Sequence, residues 1–228
     1  MTDEKAGPRS RRERPAKAAL TRSGIVATAV ELMRAEGLAR VTMRRLAQEL
    51  DTGAASLYVY VRNTAELHAA VLDELLGAVD LTPVKETGDW QARLTQVLQS
   101  YTAMLLDYPG LAQSALLARP SGKNYLRLIE SLLALLSEGG VPKGQAGWGI
   151  DLLLQFATAT AVEHAGSESA GEWQAAVDAV RTVSAETHPR LAEQGDDLFA
   201  GPGDARLEWG IRVLINGISS TPREGTSL

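Results

Sequence analysis

An all-α fold is predicted for this chain on three observations. Alanine and leucine dominate a composition in which 45% of the residues are hydrophobic and only 5% are aromatic, which favours helices over sheets. Apolar residues recur at spacings of three and four along most of the chain, the period of an amphipathic helix. The alternation of a half-buried strand is absent. The 228 residues allow one large domain, or a small domain followed by a larger one.

Two short helices separated by a turn are predicted in the segment 42–63. Thr42 is a good N-cap, and apolar residues follow it at helical spacing up to Leu50. Asp51 and Gly53 interrupt this pattern, and both residue types can adopt a positive φ. The segment therefore has the order helix, turn, helix.

The second of these helices is expected over residues 54–61, with Leu57 and Val61 on its buried face. Its other face carries small or hydroxylated groups. A helix with such a thin leading edge can enter the major groove of DNA. An ordinary helical hairpin whose tyrosines cover a core would show the same pattern, so the segment alone leaves both interpretations open.

Further helices are predicted on both sides of this segment. Thr21 or Arg22 starts the first, Asn63 with Glu66 has the spacing of a capping box, and Asp204 is placed as the last N-cap. The helix over residues 143–164 is apolar nearly all round, so it is central or part of an interface. These helices are expected over residues 22–36, 64–80, 90–107, 111–118, 121–138, 143–164, 172–186 and 204–219, with a further segment over 187–199.

The charge is unevenly distributed along the chain. Residues 1–64 carry 12 Lys or Arg and 7 Asp or Glu, a net charge of +5, whereas residues 65–228 carry 11 and 21, a net charge of −10. A basic head on an acidic body suits a head that meets a polyanion, although chance clustering on solvated faces would look the same. We expect a flexible basic arm over 1–20, a three-helix DNA-binding domain over 21–66, a helical body over 67–220 and a tail over 221–228.

Several classes of protein are disfavoured by the residues present. The chain has no cysteine, and therefore no disulfide, thiol nucleophile or thiolate metal site. No apolar run is long enough to span a bilayer and no hydrophobic signal segment opens the chain, so a cytoplasmic location is expected. Metalloprotease, hydrolase and phosphate-binding motifs are absent, so we expect neither an enzyme nor a cofactor or metal.

The chain resembles the tetracycline-repressor (TetR) family of bacterial transcription regulators. The strongest match runs over residues 36–67, with LAQEL, six residues and LYVYVRN resembling the helix-turn-helix of the family and the start of its fourth helix. The later motifs DWQARL, DYPG and FAGPGDARLEWGIRVLINGI resemble the C-terminal domain of the tetracycline repressor. The resemblance implies a ligand-responsive regulator, most simply a repressor. It would bind a palindromic operator as a homodimer, with dimer contacts through the helices at 143–164 and 204–219.

The resemblance also implies residues for DNA binding. Three of them would lie near phosphate at the start of the first paired helix, four against base edges, three on phosphates from the later part of the second helix and just beyond it, and three in the arm, which could equally be a solubilising tail. In that order they are Thr42, Arg44 and Arg45; Gly53, Ala54, Ala55 and Ser56; Tyr58, Tyr60 and Arg62; and Arg11, Arg12 and Arg14. Because the groove-facing residues are small, we expect contacts to thymine methyl groups and readout of DNA shape.

A small-molecule site in the body follows from the same resemblance. Candidates are polar and aromatic residues on the inner faces of the body helices, although such aromatics are more often plain core and a helix-end Glu–His pair more often solvated. The candidates are Tyr101, Gln113, Trp148, Gln155, Phe156, Thr160, Glu163 and His164. Asp80 and Ala115 stand where the repressor has histidines, so magnesium–tetracycline is not expected. The alternative function is a helical interaction or small-molecule-binding protein that does not bind DNA.

Overall fold

The N-terminal head consists of four helices. The computed structural model describes residues 19–117, 120–164 and 169–223. The interior of the head is formed by α1 against α2 and α4, and by α2 against α3. The His68 ring donates from Nε2 to the Val41 carbonyl oxygen at 2.9 Å and fixes the chain before α2 to α4. The helices are α1 (Arg22–Glu36), α2 (Met43–Glu49), α3 (Ala54–Leu57) and α4 (Thr64–Leu76), with a 3-10 turn at Leu38–Arg40.

The body is a bundle built around one central helix, and it contains no strand in the described ranges, in agreement with the predicted all-α fold. The body helices are α5 (Trp90–Leu106), α6 (Pro109–Leu117), α7 (Lys123–Glu138), α8 (Lys143–His164), α9 (Ser169–Arg181), α10 (Pro189–Phe199) and α11 (Gly203–Ser220), preceded by a 3-10 turn at Thr82–Lys85. The central helix is α8, which packs against α5, α6, α7 and α11. None of the described helices is long and apolar enough to cross a membrane.

One continuous core joins the head to the body. Buried residues of α4, including Val71 and Leu75, belong to the same apolar cluster as Leu98 of α5 and Leu132 of α7. Each such buried leucine contributes about 1.5–3 kcal/mol relative to an exposed one. The α4 helix therefore belongs to the packing of both parts.

A buried arginine anchors the linker between head and body. Arg93 of α5 is only 5% exposed. Its guanidinium donates to the Glu86 carbonyl oxygen at 2.7 Å, to the Gly88 carbonyl oxygen at 3.4 Å, and to the carboxylate of Glu138 at the end of α7. This linker, residues 81–89, is thus held against the body at both α5 and α7.

Most predicted helices lie within a few residues of their expected positions, and the differences have local causes. The second paired helix ends at Leu57 rather than at 61, because β-branched and aromatic residues follow and favour a turn. The α4 helix ends at Leu76 rather than at 80, since Gly77 follows it. The last helix starts at Gly203 with Pro202 as its N-cap, so the placement of Asp204 as N-cap is wrong.

Candidate functional site

The two paired helices, α2 and α3, are held by caps and by a tight turn. The Thr42 hydroxyl accepts from the Arg45 amide at 3.2 Å, which confirms the predicted N-cap of α2. Asp51 adopts a φ of 48°, as predicted, whereas Gly53 has an ordinary φ of −78° and caps α3. Leu57 is fully buried and fixes α3 against the head. The backbone thus turns sharply and presents the start of α3 outward.

The outward surface of α3 is thin. Gly53, Ala55 and Ser56 are exposed, and a Cβ atom added to Gly53 would meet no other atom within 4 Å. Ala54 is partly buried against the core, so its methyl group is less available to a base edge than predicted. A surface this narrow lets the backbone approach the floor of a major groove.

The turn after α3 adds aromatic and apolar groups to this surface. Tyr58 is 52% exposed and Val59 is 80% exposed, whereas Tyr60 is partly buried against the core. Sequence reasoning missed Val59, because a continuous helix to residue 61 would have given it no special position. Because its side chain is exposed next to Tyr58, Val59 offers an apolar group for contact with a partner of this surface.

The two arginines of α2 have different surroundings. Arg44 is exposed. The Arg45 guanidinium pairs with Glu36 at 2.5 Å and with Glu49 at 2.8 Å, and these hydrogen bonds raise the pKa of Arg45 and lower that of Glu36. Arg45 therefore ties α2 to α1, and its predicted contact with DNA remains a prediction for a side chain that already pairs with two carboxylates.

Arg62 is paired but remains accessible. Its side chain is 86% exposed, and Nε lies 2.9 Å from a carboxylate oxygen of Glu66. The Arg62 backbone amide donates to the same carboxylate, and these bonds lower the pKa of Glu66. Asn63 caps α4 as predicted, accepting from the Glu66 amide at 2.8 Å. The predicted contacts of Arg11, Arg12 and Arg14 lie outside the described residues.

A cavity of about 340 Å³, named here the first cavity, lies between the head-connecting helix α4 and the body helices α5 to α8. Leu72 and Leu76 of α4 form one wall, and Tyr125 of α7 forms another. Of the predicted ligand residues, Tyr101 and Gln155 lie in this cavity. Its size suits a drug-sized organic molecule.

The polar groups of the first cavity form two connected pairs. The Tyr101 hydroxyl lies 2.7 Å from the Thr158 hydroxyl, which donates to the Leu154 carbonyl oxygen at 2.7 Å. Burial raises the pKa of Tyr101, so its phenol is neutral at physiological pH. At the edge of the cavity the Gln155 amide donates to the Asp151 carboxylate at 2.6 Å.

The remaining predicted ligand residues lie elsewhere. Phe156, Thr160, Glu163 and His164 line a second cavity of about 580 Å³ between α8, α10 and α11, where His164 donates from Nδ1 to the Thr160 carbonyl oxygen at 2.8 Å. A third cavity of about 320 Å³, next to α5, shares His164 with the second. The predicted ligand set is therefore divided between separate cavities.

Two predicted ligand residues are not on inner faces. Trp148 is 60% exposed and its ring lies under the guanidinium of Arg223 at 4.1 Å, and Gln113 is exposed on α6. These two placements were wrong, because a helix that is apolar nearly all round gives no sign of which face points inward. Sequence reasoning missed Leu72 and Thr158, although Thr158 lies four residues from Leu154 within the apolar stripe of α8.

An apolar surface lies on the outside of α8 and α11. Trp148 and Leu152 of α8 and Trp209 and Val213 of α11 are 60%, 50%, 67% and 47% exposed. Each helix carries two of these exposed side chains, four residues apart and therefore on one face, and the two helices pack against each other. Large exposed apolar groups of this kind mark an interaction site. No cluster of potential metal ligands occurs among the residues that the structure describes.

Comparisons with known proteins agree on one family. The model of bacterial regulatory proteins of the tetR family matches residues 25–71, and that of the tetracycline-repressor-like C-terminal domain matches residues 82–221. An HTH-type transcriptional regulator of Saccharopolyspora erythraea is 30% identical over 213 residues, which cover 90% of this chain and 87% of the relative.

Solved structures of similar chains extend this comparison. The transcription regulator SCO7704 of Streptomyces coelicolor is 58% identical, with a TM-score of 0.80 over 92% of this chain and 100% of that chain. ActR of the same organism is 35% identical, with a TM-score of 0.80 over 90% of this chain and 97% of that chain, and it has also been solved in complex with actinorhodin. The chain therefore belongs to the TetR family of bacterial transcriptional regulators, with a helix-turn-helix head and a tetracycline-repressor-like C-terminal domain, and it is not an enzyme.

Proposed function

We propose that the chain is a repressor that binds a palindromic operator as a homodimer and is released when a small molecule occupies the first cavity. In this proposal residues 21–66 bind DNA, with the arm 1–20 along the phosphates, and residues 67–220 hold the effector and the dimer contact, with 221–228 as a tail. Arg44, Gly53, Ala55, Ser56, Tyr58 and Arg62 provide the exposed DNA-binding surface, supported by the cap at Thr42.

The observation that carries the proposal is that α4 belongs to both sites. Leu72 and Leu76 line the first cavity, and the same helix begins at the end of the DNA-binding head. Between them, Asp73 accepts from the Tyr125 amide at 2.9 Å, and Asn124 donates to the Asp73 carbonyl oxygen at 2.8 Å. A ligand that displaces Leu72 or Leu76 therefore shifts α4 against α7.

Such a shift of α4 changes DNA binding because it changes the distance between the two heads of a dimer. The recognition elements of a dimer must reach half-sites about 34 Å apart, one turn of the double helix. A ligand that binds more tightly to the arrangement with α4 displaced moves the population of proteins toward that arrangement. The change in free energy between the two arrangements cannot exceed the difference in the ligand's binding free energy for them. The relatives support a small-molecule effector, since ActR has been solved with actinorhodin and with (S)-DNPA.

The dimer contact is assigned to the exposed apolar groups of α8 and α11. Two copies of these helices would form a four-helix bundle that covers Trp148, Leu152, Trp209 and Val213. The second cavity opens beside this surface, because Trp209 lines it. We therefore assign the second cavity to the subunit contact and the first cavity to the effector.

A paired binding experiment tests the effector part. Compounds are screened for those that raise the thermal midpoint of the protein, and each one is then added to the complex with DNA from the protein's own promoter region. Ligands of the first cavity should lower DNA affinity, and Ala115→Trp, which fills that cavity, should abolish the effect. Ligands that stabilise the protein without ever lowering DNA affinity would refute release by the effector.

A further inference from the structure

The hydrogen bond within the hydroxyl pair of the first cavity has a fixed donor and a fixed acceptor. Thr158 has one hydroxyl hydrogen, and it donates this hydrogen to the Leu154 carbonyl oxygen, which can only accept. The hydrogen between Tyr101 and Thr158 must therefore come from Tyr101. With its only hydrogen used, the Tyr101 oxygen has lone pairs to offer and no donor.

The burial of the hydroxyl pair preserves this direction, whereas Tyr125 and Gln155 of the same cavity also carry donors. Tyr101 is 6% exposed and Thr158 is 4% exposed, so neither hydroxyl can turn away into bulk water. At the edge of the cavity stands the carboxylate of Asp151, a group that only accepts. Leu72, Leu76 and Leu154 make much of the remaining wall apolar.

We infer that the first cavity selects largely apolar molecules that carry a hydroxyl or N–H donor placed to meet the Tyr101 oxygen. This inference rests on the proposed function, in which the first cavity holds the effector. A ligand with an ether or carbonyl oxygen at that position would face another acceptor, and Tyr101 could donate to it only after the bond to Thr158 is broken. The unpaired acceptor then costs binding free energy.

A phenanthrol and its methyl ether test the inference, because the ether lacks the donor and adds only a methyl group; the variants described next separate the loss of the donor from the added size. Their dissociation constants are measured by isothermal titration calorimetry with the full chain. The phenanthrol should bind roughly tenfold more tightly than the ether. Equal affinities, or no binding of the phenanthrol, would overturn the inference.

Two variants distinguish the hydrogen-bond direction from a merely structural role. Tyr101→Phe removes the acceptor, so the phenanthrol should lose affinity until the two compounds bind within about twofold of each other. Thr158→Val keeps the shape of the side chain but frees the Tyr101 hydrogen, so the ether should gain affinity while the phenanthrol keeps its own. A loss of ether affinity in Thr158→Val would contradict the assigned direction.

The neighbouring Thr102 provides a matched control. It is 1% exposed on α5, and its hydroxyl donates to the Leu98 carbonyl oxygen at 2.8 Å, as that of Thr158 does to Leu154. Thr102 does not contact the Tyr101 hydroxyl in this way, so Thr102→Val should leave the affinity ratio of the two compounds unchanged. A ratio that falls as far as in Thr158→Val would count against the inference.

The failure of this inference and that of the proposed function give different results. Equal binding of both compounds, together with release of promoter DNA by each, overturns the donor requirement and supports the effector site. A tenfold preference for the phenanthrol without any change in DNA affinity supports the donor requirement and contradicts release by the effector.

Discussion

Arg44 and Arg45 are adjacent in α2 but are expected to have different roles. Arg44 is exposed beside the thin surface of α3, whereas Arg45 is held by Glu36 and Glu49. We expect Arg44→Ala to weaken operator binding and to reduce the slope of log affinity against log salt by about one, with an unchanged thermal midpoint. Arg45→Ala should lower the midpoint and leave the salt slope unchanged. Fluorescence anisotropy and thermal unfolding separate these outcomes, and identical salt slopes for the two variants would refute the assignment.

The pKa of Glu36 makes the stability of the head depend on pH. The hydrogen bond from Arg45 lowers this pKa below the ordinary value of 4.5. A carboxyl group with a lowered pKa in the folded state contributes stability that is present above 4.5 and lost as the pH falls below it. We expect the free energy of unfolding to fall between about pH 5 and pH 3, and to fall less in Glu36→Gln. Denaturant unfolding measures this, with the exposed Glu31→Gln as the control; equal pH dependence in all three proteins would contradict it.

Local capping could be predicted at the residue scale, whereas long-range pairing could not. Thr42 and Asn63 were identified as N-caps because their partners lie three residues away in the sequence. Arg45 pairs locally with Glu49, four residues away, and also with Glu36, nine residues away across the α1–α2 junction, and this second contact depends on how the two helices pack. In the sequence alone, an arginine that forms an ion pair with a residue of another helix therefore looks the same as an arginine that is free to bind DNA.

Close approach between α8 and α11 depends on small residues. A Cβ atom on Gly149 would lie 2.7 Å from the Ile218 side chain, whereas a Cβ on Gly147 of the same helix would meet no atom within 4 Å. We expect Gly149→Ala to destabilise the protein by about 1–3 kcal/mol through overpacking. Gly147→Ala should be stabilising by up to about 1 kcal/mol, because alanine favours a helix. Chemical unfolding measures both, and equal effects would show that the helices can move apart freely.

The cavity illustrates what periodicity can and cannot predict at the scale of elements. The spacing of apolar residues located α4, α5, α7 and α8, and it placed Tyr101 on an inner face. A cavity is surrounded by only some of the inner faces of the helices. Which faces these are depends on the angles between packed helices and on gaps between large side chains, and the sequence pattern of a single helix does not reveal either. Leu72 was missed for this reason, and Phe156 and His164 were grouped with Tyr101 and Gln155 although the two pairs line different cavities.

We propose that two copies of the chain assemble through the exposed apolar surface of α8 and α11. We expect the double variant Leu152→Glu, Val213→Glu to be monomeric and to bind operator DNA at least about tenfold more weakly, since buried unpaired charges oppose association. Leu126→Glu on α7 is the matched control, because Leu126 is 60% exposed and outside this surface. Analytical ultracentrifugation gives the mass of each variant; a dimeric double variant would contradict the assigned interface.

The central claim is that two basic heads on one dimer read a palindromic operator. The most direct measurement is the titration of the full chain against duplex DNA from its own promoter region, with a shuffled duplex of the same composition as control, at several salt concentrations. We expect two chains per duplex, a clear preference for the promoter sequence, and affinity that falls steeply as salt rises. Equal affinity for the promoter and the shuffled duplex at every salt concentration would contradict it.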